Sequence, residues 1–149
     1  MKQAFFGTVM LLAVAAGQAA DGVVNVASTF TVGETADRLE RVLTSKGMTI
    51  FKRVKHSEGA QGVGIDIRPT QLIIFGNPKV GSPLMRCQQS IALDLPQKAL
   101  IWQDQDSKVW ISYNDPAYLE QRHGVTGCDK VFAKVTKALA AMTKSAASE

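Results

Sequence analysis

The sequence contains few cysteines, few histidines and no block of like charges, and each of these features excludes a class of protein. Two cysteines and two histidines among 149 residues exclude a cysteine-dense mini-protein and the closely spaced ligand sets of zinc sites. Acidic and basic residues number 13 and 17, and they form no block of like charge of the kind that marks a disordered tail. No apolar run approaches the roughly 20 residues of a membrane-spanning helix, so we expect no transmembrane segment.

The first twenty residues predict a secretory signal peptide. A short basic start at Met1–Gln3 precedes an apolar run over residues 4–16, and Gly17-Gln18-Ala19 forms a small-x-small cleavage site. We expect a signal peptide over residues 1–19 and a periplasmic or secreted protein, with an uncleaved anchor or a buried helix as the alternative. Loss of Lys2 lowers the formal net charge from +4 to +3, which is too small to indicate a nucleic-acid partner.

Apolar periodicity predicts one α+β domain over residues 20–142 and a flexible tail over residues 143–149. A capping box at Thr31 and Glu34 begins the first helix, and Gly47 ends it. Short apolar runs or alternating apolar residues predict strands elsewhere. These strands are expected over residues 22–28, 48–55, 72–75, 99–102 and 109–113.

Three further helices are expected after the third strand. Ser82-Pro83 predicts the start of a short helix before strand 4, and Asp115-Pro116 that of another before the last helix, which covers residues 128–142. Glycines at 59, 62 and 64 predict a flexible connection after the second strand. Because the strands are grouped between helices, we expect an antiparallel sheet covered on one face by helices.

Several blocks, taken in order, resemble the small prokaryotic family called domain of unknown function 302. The blocks are His56 with the strand before it, Pro69-Thr70, Phe75-Gly76-Asn77-Pro78, Gly81-Ser82-Pro83-Leu84-Met85, Leu93-Asp94-Leu95-Pro96, Tyr113-x-Asp115-Pro116-x-Tyr118-Leu119 and Arg122-His123-Gly124. The similarity spans about residues 24–142. It implies a compact β-α-β(4)-α domain that is often dimeric, and it implies no established chemistry.

The two cysteines, Cys87 and Cys128, are expected to form a disulfide. An exported protein meets an oxidising compartment, and only one pairing is available. Both residues fall in the apolar phase of their predicted helices, which would let them face each other. Two buried free thiols or a metal-binding pair are the alternatives.

Five side chains are candidates for a ligand site. His56 follows strand 2, Asn77 and Lys79 follow strand 3, Met85 lies in the short helix before strand 4, and His123 lies near the end of a later helix. Imidazole and thioether groups suit copper or haem iron. Each histidine also has a structural interpretation. His56 could be a local cap partner, and His123 lies near a helix C-terminus, which favours a histidine cation. Turn chemistry alone likewise accounts for the sequence around Asn77.

Three functions remain open on these observations. The first is an exported binding domain that holds a small ligand, haem or a metal near His56, Asn77 and Met85. The second is a small enzyme that uses His56 or His123 as an acid–base group, because histidine titrates near neutral pH. The third is a structural domain that forms a homodimer through its sheet. The lack of a nucleophile motif favours the first over the second.

Overall fold

A single antiparallel sheet forms the centre of the structure, a computed structural model that describes residues 20–149. The signal peptide expected over residues 1–19 lies outside the described residues. The spatial order of the strands is β1-β5-β4-β3-β2, and all four neighbouring pairs are antiparallel. The strands are β1 (Val23–Ser28), β2 (Thr49–Lys55), β3 (Thr70–Gly76), β4 (Gln97–Gln103) and β5 (Val109–Asn114).

Five α-helices and one short 3-10 helix accompany the sheet within residues 20–149. The α-helices are α1 (Val32–Ser45), α2 (His56–Gln61), α3 (Pro78–Cys87), α4 (Pro116–Arg122) and α5 (Asp129–Ala147), and the 3-10 helix is Gln89–Leu93. The element order β-α-β(4)-α, with short helices before β4 and before the last helix, confirms the predicted α+β class. None of these helices is both long and apolar enough to cross a membrane.

The core lies between one face of the sheet and the helices α1 and α5. Alternate side chains of β3, β4 and β5 point to this face because successive residues of a strand alternate sides. Val109, Ile111 and Tyr113, which alternate along β5, are all buried. Burial raises the pKa of the Tyr113 phenol above its ordinary value. Leu39 of α1 and Leu139 of α5 pack into the same cluster.

The opposite face of β3, β4 and β5 is more exposed than the core face. It displays Leu72, Ile74, Leu100, Trp102 and Trp110, which are all partly exposed. The two tryptophans are direct cross-strand partners. This set of five residues is called the open sheet face below.

The first helix begins as its sequence predicts. The Thr31 side chain accepts the Glu34 backbone N–H at 3.3 Å, and the Glu34 carboxylate accepts the Thr31 backbone N–H at 3.0 Å. The hydrogen bond from the Thr31 hydroxyl, followed by that from its backbone N–H, holds the pKa of Glu34 below its ordinary value. The predicted capping box is therefore confirmed.

The β4–β5 hairpin is held by one carboxylate. Asp104 accepts the backbone N–H groups of Asp106 and Lys108, each at 2.9 Å, and the Trp110 indole N–H at 2.8 Å. The indole hydrogen bond is the main cause that lowers the pKa of Asp104. Ser107 completes the turn with a φ of 62°.

Helix α3 begins one turn earlier than predicted. Asn77 is its N-cap and Pro78 its first residue, so Ser82 lies inside the helix and Pro83 interrupts its hydrogen bonding. Both Asn77-Pro78 and Ser82-Pro83 have the capping signature, and the Asn77 side chain makes the cap. Packing of Leu84, 2% exposed, accounts for the helix continuing past Pro83.

Two other expectations about helices are wrong. The connection after β2 forms the helix α2 through Gly59 and buries none of its residues. The final helix runs to Ala147, beyond the end predicted at residue 142 and into the segment 143–149. Its small residues allow close packing: Ala147 is 2% exposed, and its carbonyl accepts the Thr29 backbone N–H at 3.0 Å.

Candidate functional site

A cavity of about 720 Å³ opens between α3, α5 and the adjoining ends of β3 and β4. Its floor is made of buried apolar side chains: Phe75, Leu84, Val135, Leu139 and Met142. Small-molecule sites in proteins occupy about 300–1,000 Å³ and are mostly apolar. The volume and the lining of this cavity therefore suit a small organic ligand.

The rim of the cavity combines exposed apolar groups with a few polar ones. Phe51 and Met85 are 52% and 36% exposed, so apolar surface continues from the floor to the solvent. Five of the 23 lining residues have polar side chains: Asn77, Lys79, Ser82, Gln97 and Lys134. Polar groups that are few and placed near the mouth can orient a ligand whose remainder is apolar.

Three of the five predicted site residues, Asn77, Lys79 and Met85, line this cavity. They come together because all three lie on α3 or at its cap. The Asn77 side chain is already engaged: its carbonyl oxygen accepts the Lys79 backbone N–H at 2.9 Å, and its amide donates to the Gly47 carbonyl at 3.0 Å. These hydrogen bonds tie the start of α3 to the turn before β2, so Asn77 shapes the cavity wall.

The cysteine pair fixes the other end of α3. Cys87 and Cys128 are partners with their Cα atoms 6.3 Å apart, a separation suited to a disulfide. Cys128 lies just before α5, so the pair connects two helices that face each other across the cavity. The Cys128 sulfur also lies 3.6 Å from the Pro83 carbonyl oxygen. The Cys87–Cys128 pair therefore sets the distance between α3 and α5 at this end of the cavity.

Gly81 gives the cavity part of its width. It lies in α3, and a Cβ added there would meet the Leu95 side chain at 3.8 Å, an ordinary contact distance. Leu95 also lines the cavity. A larger side chain at position 81 would therefore extend across the cavity toward Leu95.

His56 does not belong to this site. It begins α2 directly after Lys55, which pairs with Gln71, whereas the cavity lies at the other end of β2, where Thr49 pairs with Gly76. Seven strand residues separate the two ends by roughly 20 Å. A copper or haem site shared by His56 and Met85 is therefore not formed.

His123 lies in a hydrogen-bonded cluster outside the cavity lining. Its Nε2 is 2.6 Å from an Asp94 carboxylate oxygen, and its Nδ1 is 3.1 Å from the Ser90 hydroxyl. Arg122 also approaches Asp94, at 3.3 Å. The His123 side chain is 7% exposed, and none of these four residues lines the cavity. The cluster joins the end of α4 to the segment before β4 and has no place for a cavity ligand.

The described residues offer no cluster of histidine, cysteine or carboxylate ligands for a metal ion. Within residues 20–149 no group of three or more histidine, cysteine, aspartate or glutamate side chains converges. Met85 is accompanied at the cavity by no histidine, and both cysteines are engaged with each other. The groups with shifted pKa values, Glu34, Asp104 and Tyr113, also lie outside the lining.

Most of the cavity residues were not identified as site residues from the sequence. Phe51, Leu84 and Val131 come from three segments that are distant in sequence, and their sequence pattern indicates only structural elements. One usable signal existed for the position of His56. Adjacent antiparallel strands end at opposite edges of a sheet, so residues that follow β2 and β3 could have been separated in advance.

Curated relatives match only part of this chain and only part of their own length. The protein named "Fluoride-specific ion channel FluC 1" of Brucella suis biovar 1 is 48% identical over 104 residues, which are 70% of this chain and 41% of that protein. The protein of the same name from Brucella abortus biovar 1 is also 48% identical, and the match covers 38% of it. The chain thus spans about two fifths of the length of these relatives.

A solved structure and a family comparison agree on the fold. The crystal structure of an uncharacterized conserved DUF302 protein from Bacillus stearothermophilus superimposes with a TM-score of 0.77 at 22% identity, covering 85% of this chain and 99% of that one. The family described as Domain of unknown function DUF302 matches residues 24–142. This is the family whose resemblance the sequence blocks indicated, and the chain belongs to it.

Proposed function

We propose that this protein is an exported binding domain that holds a small apolar organic molecule in the cavity between α3 and α5. The observation that carries the proposal is the volume of about 720 Å³ over a floor of buried apolar side chains. Apolar surface left facing water is unfavourable by about 25 cal/mol per Å². The exposed apolar side chains of the cavity are Phe51 and Met85 at its rim. A ligand seated on the floor gains this free energy by covering them, and the polar groups at the mouth can remain hydrated.

The other ligand classes fit the cavity less well. Haem and copper sites that use methionine combine it with histidine or cysteine ligands, and the lining holds Met48, Met85 and Met142 without a histidine or a cysteine. An acid–base role for His123 would need the substrate beside Ser90 and Asp94, away from the apolar floor. Binding of an apolar molecule therefore accounts for the cavity and its apolar floor, whereas catalysis at either histidine does not.

The binding experiment uses a neutral fluorescent probe and a pair of matched variants. N-phenyl-1-naphthylamine gains fluorescence in apolar sites, and we expect it to bind the wild-type protein with saturation. Gly81→Phe should abolish this binding because the new side chain occupies the cavity. Gly33→Phe is the control, since Gly33 also lies in a helix and has open space around it. Equal probe binding by both variants, or none by the wild type, would refute the proposal.

Export is the part of the proposal supported by the N-terminal sequence. The basic start, the apolar run and the Gly17-Gln18-Ala19 site are typical of a cleaved signal, and a paired Cys87–Cys128 suits an oxidising compartment. We expect the protein in the periplasmic or secreted fraction, with Ala20 as its first residue by intact mass. A cytoplasmic protein that retains residues 1–19 would refute export.

A second candidate function is an accessory role beside a membrane channel. The observation that favours it is the 48% identity to part of two proteins named fluoride-specific ion channels. We infer that a domain of this kind can act next to such a channel. The test compares growth of cells with and without this chain over a series of fluoride concentrations. Greater fluoride sensitivity on deletion, restored by the wild type, supports the role, and unchanged growth contradicts it.

A further inference from the structure

The charges around the cavity mouth have one sign. Within residues 20–149, the charged side chains that line the cavity are Lys79 on α3 and Lys134 on α5, and both are exposed. No aspartate or glutamate of these residues lines it. The two ammonium groups thus stand on the two helices that face each other across an apolar floor.

Nearby acidic groups do not neutralise these lysines. Asp94 directly precedes the lining residue Leu95, but its carboxylate is engaged by His123 at 2.6 Å and by Arg122 at 3.3 Å. Helix α3 begins at Pro78 beside Lys79, so the positive end of its dipole adds to the same field. The mouth of the cavity is therefore positive, and the floor is apolar.

We propose that the ligand is an amphiphile with one anionic group, whose apolar part covers the floor while its carboxylate, or an anion of similar size, meets Lys79 and Lys134 at the mouth. This inference rests on the proposed binding function and adds the chemical class of the ligand. Both lysines stay in contact with water, so they attract an anion without the cost of burying an ammonium group. A neutral molecule of equal length would bind through the floor alone, and a cationic one would be repelled.

The experiment compares three ligands that share a ten-carbon chain. Displacement of N-phenyl-1-naphthylamine from the full chain is measured at low ionic strength with decanoate, decan-1-ol and decyltrimethylammonium. The two ions are kept below their micellar concentrations, and decan-1-ol is kept below its solubility limit. We expect decanoate to bind about fivefold or more tightly than decan-1-ol, since each exposed charge pair contributes about twofold to fivefold. The difference should shrink in about 0.5 M salt, where charges are screened within about 5 Å. Decyltrimethylammonium should bind most weakly.

Matched variants connect the preference to the two lysines. The variant Lys79→Gln/Lys134→Gln should bind decanoate and decan-1-ol equally. Lys130→Gln, on α5 but outside the lining, should leave the preference unchanged. Equal binding of decanoate and decan-1-ol by the wild type, or a preference that survives the double variant, would overturn the inference and leave the proposed function standing. If the wild type does not bind the neutral probe, both the inference and the proposed function are overturned.

Discussion

Breaking the Cys87–Cys128 pair should lower the free energy of unfolding by about 4 kcal/mol. The two residues are 41 positions apart, and in the chain-entropy model a bond of this span removes about 13 cal/mol/K from the unfolded chain. At 25 °C this is about 4 kcal/mol, a large part of the 5–15 kcal/mol of a typical domain. The pair also holds α3 against α5, so neutral-probe binding should weaken with it.

The substitution Cys87→Ser isolates this effect. Cys87 is exposed whereas Cys128 is 6% exposed, so replacing Cys87 removes the bond without opening a hole in the core. In urea, with a slope of about 1–3 kcal/mol/M, the unfolding midpoint should fall by roughly 2 M. Circular dichroism at increasing urea concentrations gives both the midpoint and the slope.

Reduction supplies the control for this prediction. Dithiothreitol should lower the wild-type midpoint to that of Cys87→Ser and should leave the variant unchanged. The entropic reasoning is refuted if the wild type resists alkylation and yet the free energy of unfolding of Cys87→Ser lies within about 1 kcal/mol of the wild-type value. Alkylation of both thiols in freshly isolated protein, measured by intact mass, would show that the bridge is absent.

Three further predictions concern α3, α1 and the sheet. Gly81→Ala should raise the free energy of unfolding by about 0.5–1 kcal/mol, since a helical glycine is replaced and the new Cβ meets Leu95 at an ordinary distance; a lower urea midpoint would contradict this. Thr31→Ala should destabilise α1 by about 1 kcal/mol at pH 7. The pKa of Glu34 is lowered in the folded state, so its contribution is present above the ordinary carboxyl range and is lost as the pH falls through the lowered value. The difference in the free energy of unfolding between the wild type and Thr31→Ala should therefore be smaller at pH 3 than at pH 7. An equal difference at both pH values would show that the Glu34 carboxylate does not contribute to the cap. Finally, the open sheet face should pair two copies, giving a dimer by light scattering that Leu100→Lys converts to a monomer; a monomeric wild type at high concentration would refute pairing.

The strands and the first helix could be predicted because their signals are local. The alternating apolar residues Val109, Ile111 and Tyr113 indicate which side chains of β5 face the core. The capping box at Thr31 indicates where α1 begins. These features depend on residues within a few positions of one another. Tertiary packing then agrees with the local preference.

Where two local signals compete, packing decides between them. Asn77-Pro78 and Ser82-Pro83 both mark a helix start, and the hydrogen bond from Asn77 to Gly47 favours the earlier one. Gly47 lies 30 positions away in sequence. The end of α5 was misjudged for the same reason: small residues near Ala147 indicate flexibility when taken alone, although they pack against the segment at Thr29.

The cavity itself had no signal in the sequence. Phe51, Leu84 and Val131 lie on three distant elements, and an apolar side chain that points inward is assigned to the core whether it faces another side chain or open space. Lys134 is equally ambiguous, because Lys130 and Lys137 on the same helix are also exposed. Only the assembled helices distinguish the lysine at the cavity mouth from its neighbours. If the proposed anion specificity holds, Lys134→Gln changes ligand preference and Lys130→Gln does not, although the two substitutions are chemically the same.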